Sequence, residues 1–185
     1  MYARYDGSSK PGASALWIAL LTAASTATTY VLACATPFPA LAALAALHMR
    51  ERDGLALMAL AWIASQIVGF GLLGYPHSST TVTWGLALAV AALVSAGAAY
   101  LLLPRLRLRS VWSRLAAGYV VAFLAFKAAI ALCGLALGDL ASALDPAIVL
   151  AQFIRNGAIL LGLFLLYHGL VALGVPAARG GLATA

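Results

Sequence analysis

The apolar positions of this chain fall into long blocks, and short polar or proline-containing segments separate them. Run one is Ser14 to Ala35, run two Phe38 to Met49, run three Gly54 to Gly74, run four Trp84 to Leu103, run five Leu115 to Leu137 and run six Ala147 to Leu173. Within a block the apolar residues are continuous rather than striped, which predicts helices that are apolar all round. About 20 such residues in a helix span the roughly 30 Å hydrocarbon core of a bilayer. Lipid offers no partners to backbone polar groups, so helices are the expected form. Proline and glycine punctuate the ends: Pro37 and Pro39 open run two, Pro104 stops run four, and Gly174 and Pro176 follow run six.

Composition agrees with this pattern. The 185 residues are 64% hydrophobic and 9% charged, with mean hydropathy +1.01, whereas a soluble domain is nearer a quarter charged. Run two is the short one, rising only about 18 Å at 1.5 Å per residue. Charge parity argues that it crosses. With six crossings, Arg4, Lys10, Arg50, Arg52, Arg105, Arg107, Arg109, Arg114 and Arg179 share one side. The loops opposite, Thr36-Pro37, Tyr75 to Thr83 and Gly138 to Pro146, carry no Lys or Arg. This is the positive-inside pattern. The expectation is an all-α integral membrane protein, a multi-pass bundle of six transmembrane helices in the inner (cytoplasmic) membrane with both termini cytoplasmic. Residues 1–13 and 175–185 would be tails around a transmembrane domain at 14–174. The formal charge of +6 sits mostly in those loops, so it is no sign of nucleic-acid binding.

Several motifs have plainer readings. Val31-Leu32-Ala33-Cys34 looks like a lipoprotein cleavage box, but cleavage there would remove run one and spoil the charge parity. Cys34 and Cys133 fall near the outer ends of their helices; a disulfide is open to them, and burial as small hydrophobes is the favoured reading. His77 falls in an outer loop while His48 and His168 lie near the inner membrane boundary, positions too scattered for one metal site or a paired haem ligation. Nucleotide-binding GxxxxGK[ST], and the hydrolase motifs GxSxG and HExxH, are absent. No metal, cofactor or catalytic residue is therefore expected. Gly134 and Gly138 form a GxxxG that reads as helix packing, and Arg105-Leu106-Arg107-Leu108-Arg109 reads as a topology signal touching anionic lipid.

The chemistry lies in a polar layer. Lys127 and Arg155 stand inside runs five and six, and no Asp or Glu falls inside any run. A cation at the bilayer centre costs between ~3 and over ~10 kcal/mol. Counted from the run ends, Gln66 and Lys127 lie about 18 Å from the cytoplasmic side and Arg155 about 12 Å from the outer side, one slab slightly outside the midplane. Gln152, Arg155 and Asn156 are spaced to share a face, as are Trp62, Gln66 and Phe70; Phe123 precedes Lys127 by a turn. Arg155 offers a planar fork for a carboxylate or phosphate and Lys127 a flexible point charge. Apolar walls with a few aimed polar groups make a small-molecule pocket. The candidate binding set is Arg155, Lys127, Gln66, Gln152, Asn156 and Trp62. The competing reading of the cations is pairing with Asp139 or Asp145. Thr22, Ser25, Thr26 and Thr29 share a face of run one and are expected to bond their own backbone. Gly69 to Pro76, leading into His77-Ser78-Ser79-Thr80-Thr81, is glycine-rich and could serve as a lid, though Tyr75 and Trp84 suit the aromatic belt at a membrane interface.

In size, six helices, internal termini, a short second helix and a polar pocket toward the outer face, the chain resembles the substrate-binding (S) components of energy-coupling factor transporters. The resemblance implies capture of a vitamin, docking on a membrane coupling subunit that carries two ATPases, and toppling in the bilayer to release the cargo. It also implies docking through small residues in an AxxxA pattern on the first helix, matched here by Ala15-Leu16-Trp17-Ile18-Ala19 and by Ala19 to Ala23. Metal-transporting members use an extreme N-terminal histidine, and residue 2 here is Tyr, which argues against nickel or cobalt.

Three functions compete. The first is a binding and transport subunit for a small anionic or zwitterionic metabolite, driven by partner ATPases. The second is a structural or assembly subunit whose cations pair with acids on another chain; Ala87, Ala91, Ala92, Ser95 and Ala98 of run four would allow close helix approach. The third, an enzyme acting on lipid headgroups, lacks a carboxylate or histidine cluster in the apolar runs.

Overall fold

The computed structural model describes residues 11–31 and 37–178. Helix α1 spans Pro11–Val31, α2 Phe38–His48, α3 Glu51–Gln66, α4 Ser79–Leu102, α5 Val111–Leu137, α6 Leu140–Ala143 and α7 Pro146–Ala172. Helix α3 continues as a π-helical turn over Ile67–Leu72, and α4 ends in a 3-10 turn over Leu103–Leu106. Among the described residues no strand occurs. Within those residues four helical stretches are long and apolar enough to cross a membrane: Glu51–Leu72, Ser79–Leu106, Val111–Leu137 and Leu140–Ala172. Shorter apolar stretches lie in α1, Gly12–Thr28, and in α2.

Helix α2 is the axis of the bundle. Eleven residues rise only about 16 Å, and nine of them, Phe38 to Ala45 and Leu47, are buried. It packs against α5, α4, α7 and α3. A helix enclosed on every side needs no polar face, which explains why run two reads as uniformly apolar. Its first turn is also buried. Pro37 and Pro39 have no N–H to satisfy there, and the Leu41 amide bonds the Pro37 carbonyl at 2.9 Å. The Phe38 ring stands 6.3 Å from that of Phe126, halfway along α5. Helix α2 therefore fills the core over one half of the bundle's length.

The other end of α2 turns tightly into α3 through Met49 and Arg50. The Tyr100 hydroxyl, at the end of α4, donates to the Arg50 carbonyl at 3.2 Å. Gly54 makes room for it, since a Cβ there would collide with the phenol. Arg50, Arg52, Arg105 and Arg114 thus gather at one end of the bundle, here termed the basic end. Arg4, Lys10 and Arg179 lie outside the described residues. The chain beyond α7 folds back at the basic end. Trp17 donates its indole N–H to the Pro176 carbonyl at 2.7 Å, Ser14 donates to the Ala178 carbonyl at 3.2 Å, and the Ala178 amide donates to the Tyr167 hydroxyl at 3.3 Å. Residues 175–178 are thereby tied to α1 and α7.

Helices α4 and α5 form the most extensive pair. The small residues of α4 permit this: Ala87, Ala91, Ala92 and Ser95 are buried, and Ser95 donates to the Ala122 carbonyl at 2.9 Å. Helix α4 starts at Ser79, earlier than the apolar run, because the Ser78 side chain caps it by accepting the Thr81 amide at 3.2 Å. Gly138, at φ 77°, ends α5 in a left-handed cap.

Candidate functional site

Lys127 projects from α5 and is 8% exposed. Its ammonium donates to the Ala143 carbonyl at 2.8 Å and to Gln152 Oε1 at 3.2 Å. The first acceptor exists because α6 folds back on α5: Gly134 sits under it, where a Cβ would lie 3.1 Å from Ala143 Cβ and from the Asp139 carbonyl oxygen. The GxxxG glycine is thus used within this hairpin. One turn beyond Gln152, Asn156 is 6% exposed; its amide donates to the Gln152 carbonyl at 3.1 Å, and its Oδ1 is buried with no partner among the described residues. A buried cation, two amides and an unfilled acceptor form one connected group among α5, α6 and α7. Aromatic side chains lie on its basic side: Phe123, Tyr119 and Phe153 pack in tilted and edge-to-face contacts, and the Tyr119 hydroxyl donates to the Phe153 carbonyl.

Arg155 is not part of this group. Positions 155 and 156 are about 100° apart around a helix, and the packing boundary of α7 falls between them. Asn156 is buried, Gln152 half-buried and Arg155 exposed. The shared face expected for Gln152, Arg155 and Asn156 is therefore split. Neither Asp139 nor Asp145 pairs with a cation among the described residues. Asp145 instead caps α7, its Oδ1 accepting the Ala147 and Ile148 amides at 2.8 and 3.1 Å.

Trp62 and Gln66 form a second polar pair, between α3 and α4. The Trp62 indole donates to the Gly85 carbonyl at 2.8 Å, Gln66 donates to Ser65 Oγ at 3.2 Å, and the Gln66 side-chain oxygen lies against Gly85. Phe70, expected on their stripe, leaves it because the π-helical turn changes the spacing; its ring meets Tyr75 and His77 at 6.3 and 5.2 Å. On α1, Thr26 donates to the Thr22 carbonyl at 2.8 Å, as expected of a hydroxyl on an apolar helix, whereas the Thr22 hydroxyl is buried with no partner among the described residues, against that expectation. The side chain of Thr29 lies outside the described residues, as do Cys34 and the side chains of the Val31–Cys34 box; Cys133 is half-buried.

Ala15, Ala19 and Ala23 are exposed and line an apolar groove of about 620 Å³ between α1 and α3, with Ile18, Leu60 and Ile63 on its walls. A second groove of about 480 Å³ continues from Ala23 past Thr26 and Tyr30 to Leu72.

One grouping joins two side chains that the sequence placed only near the same boundary. His48 and His168, far apart in the chain, meet at the basic end with ring centroids 5.4 Å apart, beside Phe164 and Tyr167. Each Nδ1 faces the carbonyl one turn back, Leu44 at 3.1 Å and Phe164 at 3.0 Å. The charge parity of the runs already placed both at one end and was the signal available. Among the described residues no three His, Cys, Asp or Glu side chains gather as a metal site would need. No family model, curated protein or solved structure matches this chain.

Proposed function

We propose that this chain is a membrane-embedded subunit that binds a small anionic or zwitterionic metabolite at Lys127, Gln152 and Asn156 and works with partner subunits that supply ATP hydrolysis. The observation that carries the reading is the buried ammonium of Lys127 with two neutral partners. A buried charge without a counter-ion favours an anion beside it. The unfilled Asn156 acceptor adds a place for a donor group of the same ligand. The membrane setting is supported by the four long apolar helices and by arginines gathered at one end, which in this reading faces the cytoplasm by the positive-inside rule. Exposure of Ala15, Ala19 and Ala23 along a groove supports docking of a coupling subunit there, in line with the resemblance to S components.

A second reading has its own support. Lys127 already joins α6 to α7 through its two bonds, so it could serve as a staple in a structural or assembly subunit. Native mass spectrometry of the detergent-purified protein, wild type beside Lys127→Met, separates the two. A small anionic adduct held by the wild type and missing from the variant supports binding. Two bare proteins would sink it and leave the staple.

A further inference from the structure

Helix α7 is the least covered of the four long helices: 22% of its most apolar window is buried, against 33 to 39% in the other three. Its contacts to α5 are made by aromatic side chains and by the Lys127–Gln152 bond, and its backbone packs extensively on α2 alone. The side turned away from the bundle carries Ala151, Arg155, Ala158 and Gly162, all exposed. A Cβ at Gly162 would meet nothing within 4 Å. Arg155 makes no hydrogen bond or ion pair among the described residues, and it stands amid exposed Leu150, Ile154 and Leu161. An unpartnered guanidinium on an apolar helix face calls for a carboxylate.

Among the described residues no carboxylate pairs with it, and Asp6 lies outside them. The chain's five acids are Asp6, Glu51, Asp53, Asp139 and Asp145. The one on the same helix end, Asp145, is engaged in the cap and lies about 15 Å away along the axis. A second copy does not supply it either. A two-fold contact between α7 faces would set Arg155 against Arg155. We propose that this face of α7 docks a membrane-spanning helix of a different protein, one that carries an Asp or Glu at the depth of Arg155 and small residues beside it. The carboxylate then takes the guanidinium in a bidentate pair, and Ala151, Ala158 and Gly162 let the backbones approach. The inference shares the membrane setting with the proposed function but not its anion site.

The test uses the full chain in zwitterionic lipid vesicles, with three fluorescent synthetic helices of Leu and Ala. One bears a single Asp about ten residues from one end, to match the depth of Arg155; one has Asn there and one has Leu. Energy transfer should report association of the Asp helix about tenfold tighter than the Leu helix. Arg155→Leu should abolish that preference and Gly162→Leu should weaken all three, with helical circular dichroism unchanged in both variants. Equal binding of the Asp and Leu helices, or a preference that survives Arg155→Leu, overturns the proposal. So does self-association of the labelled protein through α7, or an Arg155 effect that appears only when anionic lipid is added, which would assign the guanidinium to headgroups.

Discussion

Lys127 and Arg155 carry the same charge on neighbouring apolar helices, and the fold treats them in opposite ways. Lys127 is enclosed, and its long flexible stem brings the ammonium to a carbonyl and an amide of its own chain. Arg155 stands on an open face with nothing among the described residues to meet. The difference lies in what surrounds each helix. Helix α5 is flanked by α4, α2 and the returning α6, so a polar group on its inner side finds a backbone acceptor. Helix α7 is covered on one side only. A mid-helix cation is therefore not one kind of signal: enclosed, it takes its partners from its own chain; open, it meets none among the described residues.

The largest effect is expected from shortening the enclosed cation. Lys127→Ala removes both bonds and leaves a void beneath α6, and should cost about 3 kcal/mol in reversible unfolding in mixed micelles. Lys127→Met, which refills the space without charge, should restore most of that or exceed the wild type. Equal stability of Lys127→Ala and wild type would remove the enclosed half of the contrast. Next comes the seat of α6. Gly134→Leu forces a side chain into Ala143 and the Asp139 carbonyl, and about 2 kcal/mol should be lost as the acceptor of Lys127 is displaced. Tyr119→Phe should cost about 1 kcal/mol, because it removes the hydroxyl that bonds the Phe153 carbonyl. Arg155→Ala should change the stability of the isolated chain by less than about 0.5 kcal/mol. A loss comparable to that of Lys127→Ala would mean that Arg155 has a partner within this chain after all.

Much of the architecture was legible before the tertiary structure. The runs located every long helix to within a few residues, and Pro37, Pro39, Pro104 and Gly174 marked real ends, whereas Gly138, read as a packing glycine, is the cap of α5. Ala87, Ala91, Ala92 and Ser95 of α4, offered to a partner chain in the assembly reading, are buried instead, and Ser95 bonds α5 of the same chain. Short features escaped. Helix α6 is one turn without a pattern, and the π-helical turn at Ile67–Leu72 looks in sequence like more of α3. The candidate site was legible in part. Lys127, Gln152 and Asn156 came together as their depths allowed, while Trp62 and Gln66 formed a separate pair and Arg155 turned outward.

What could be read from residue order alone depends on near neighbours along the chain. Continuous apolar runs make helices of a given length, prolines and glycines end them, and the placement of arginines shows which ends lie together. The rotation of each helix emerged only from packing, because a helix that is apolar all round carries almost no record of which side is covered. Whether position 155 or 156 faces the core is a matter of about 100° around the axis of α7. Contact with α2 and the aromatic side chains of α5 settle it, and with it which of the two cations is buried.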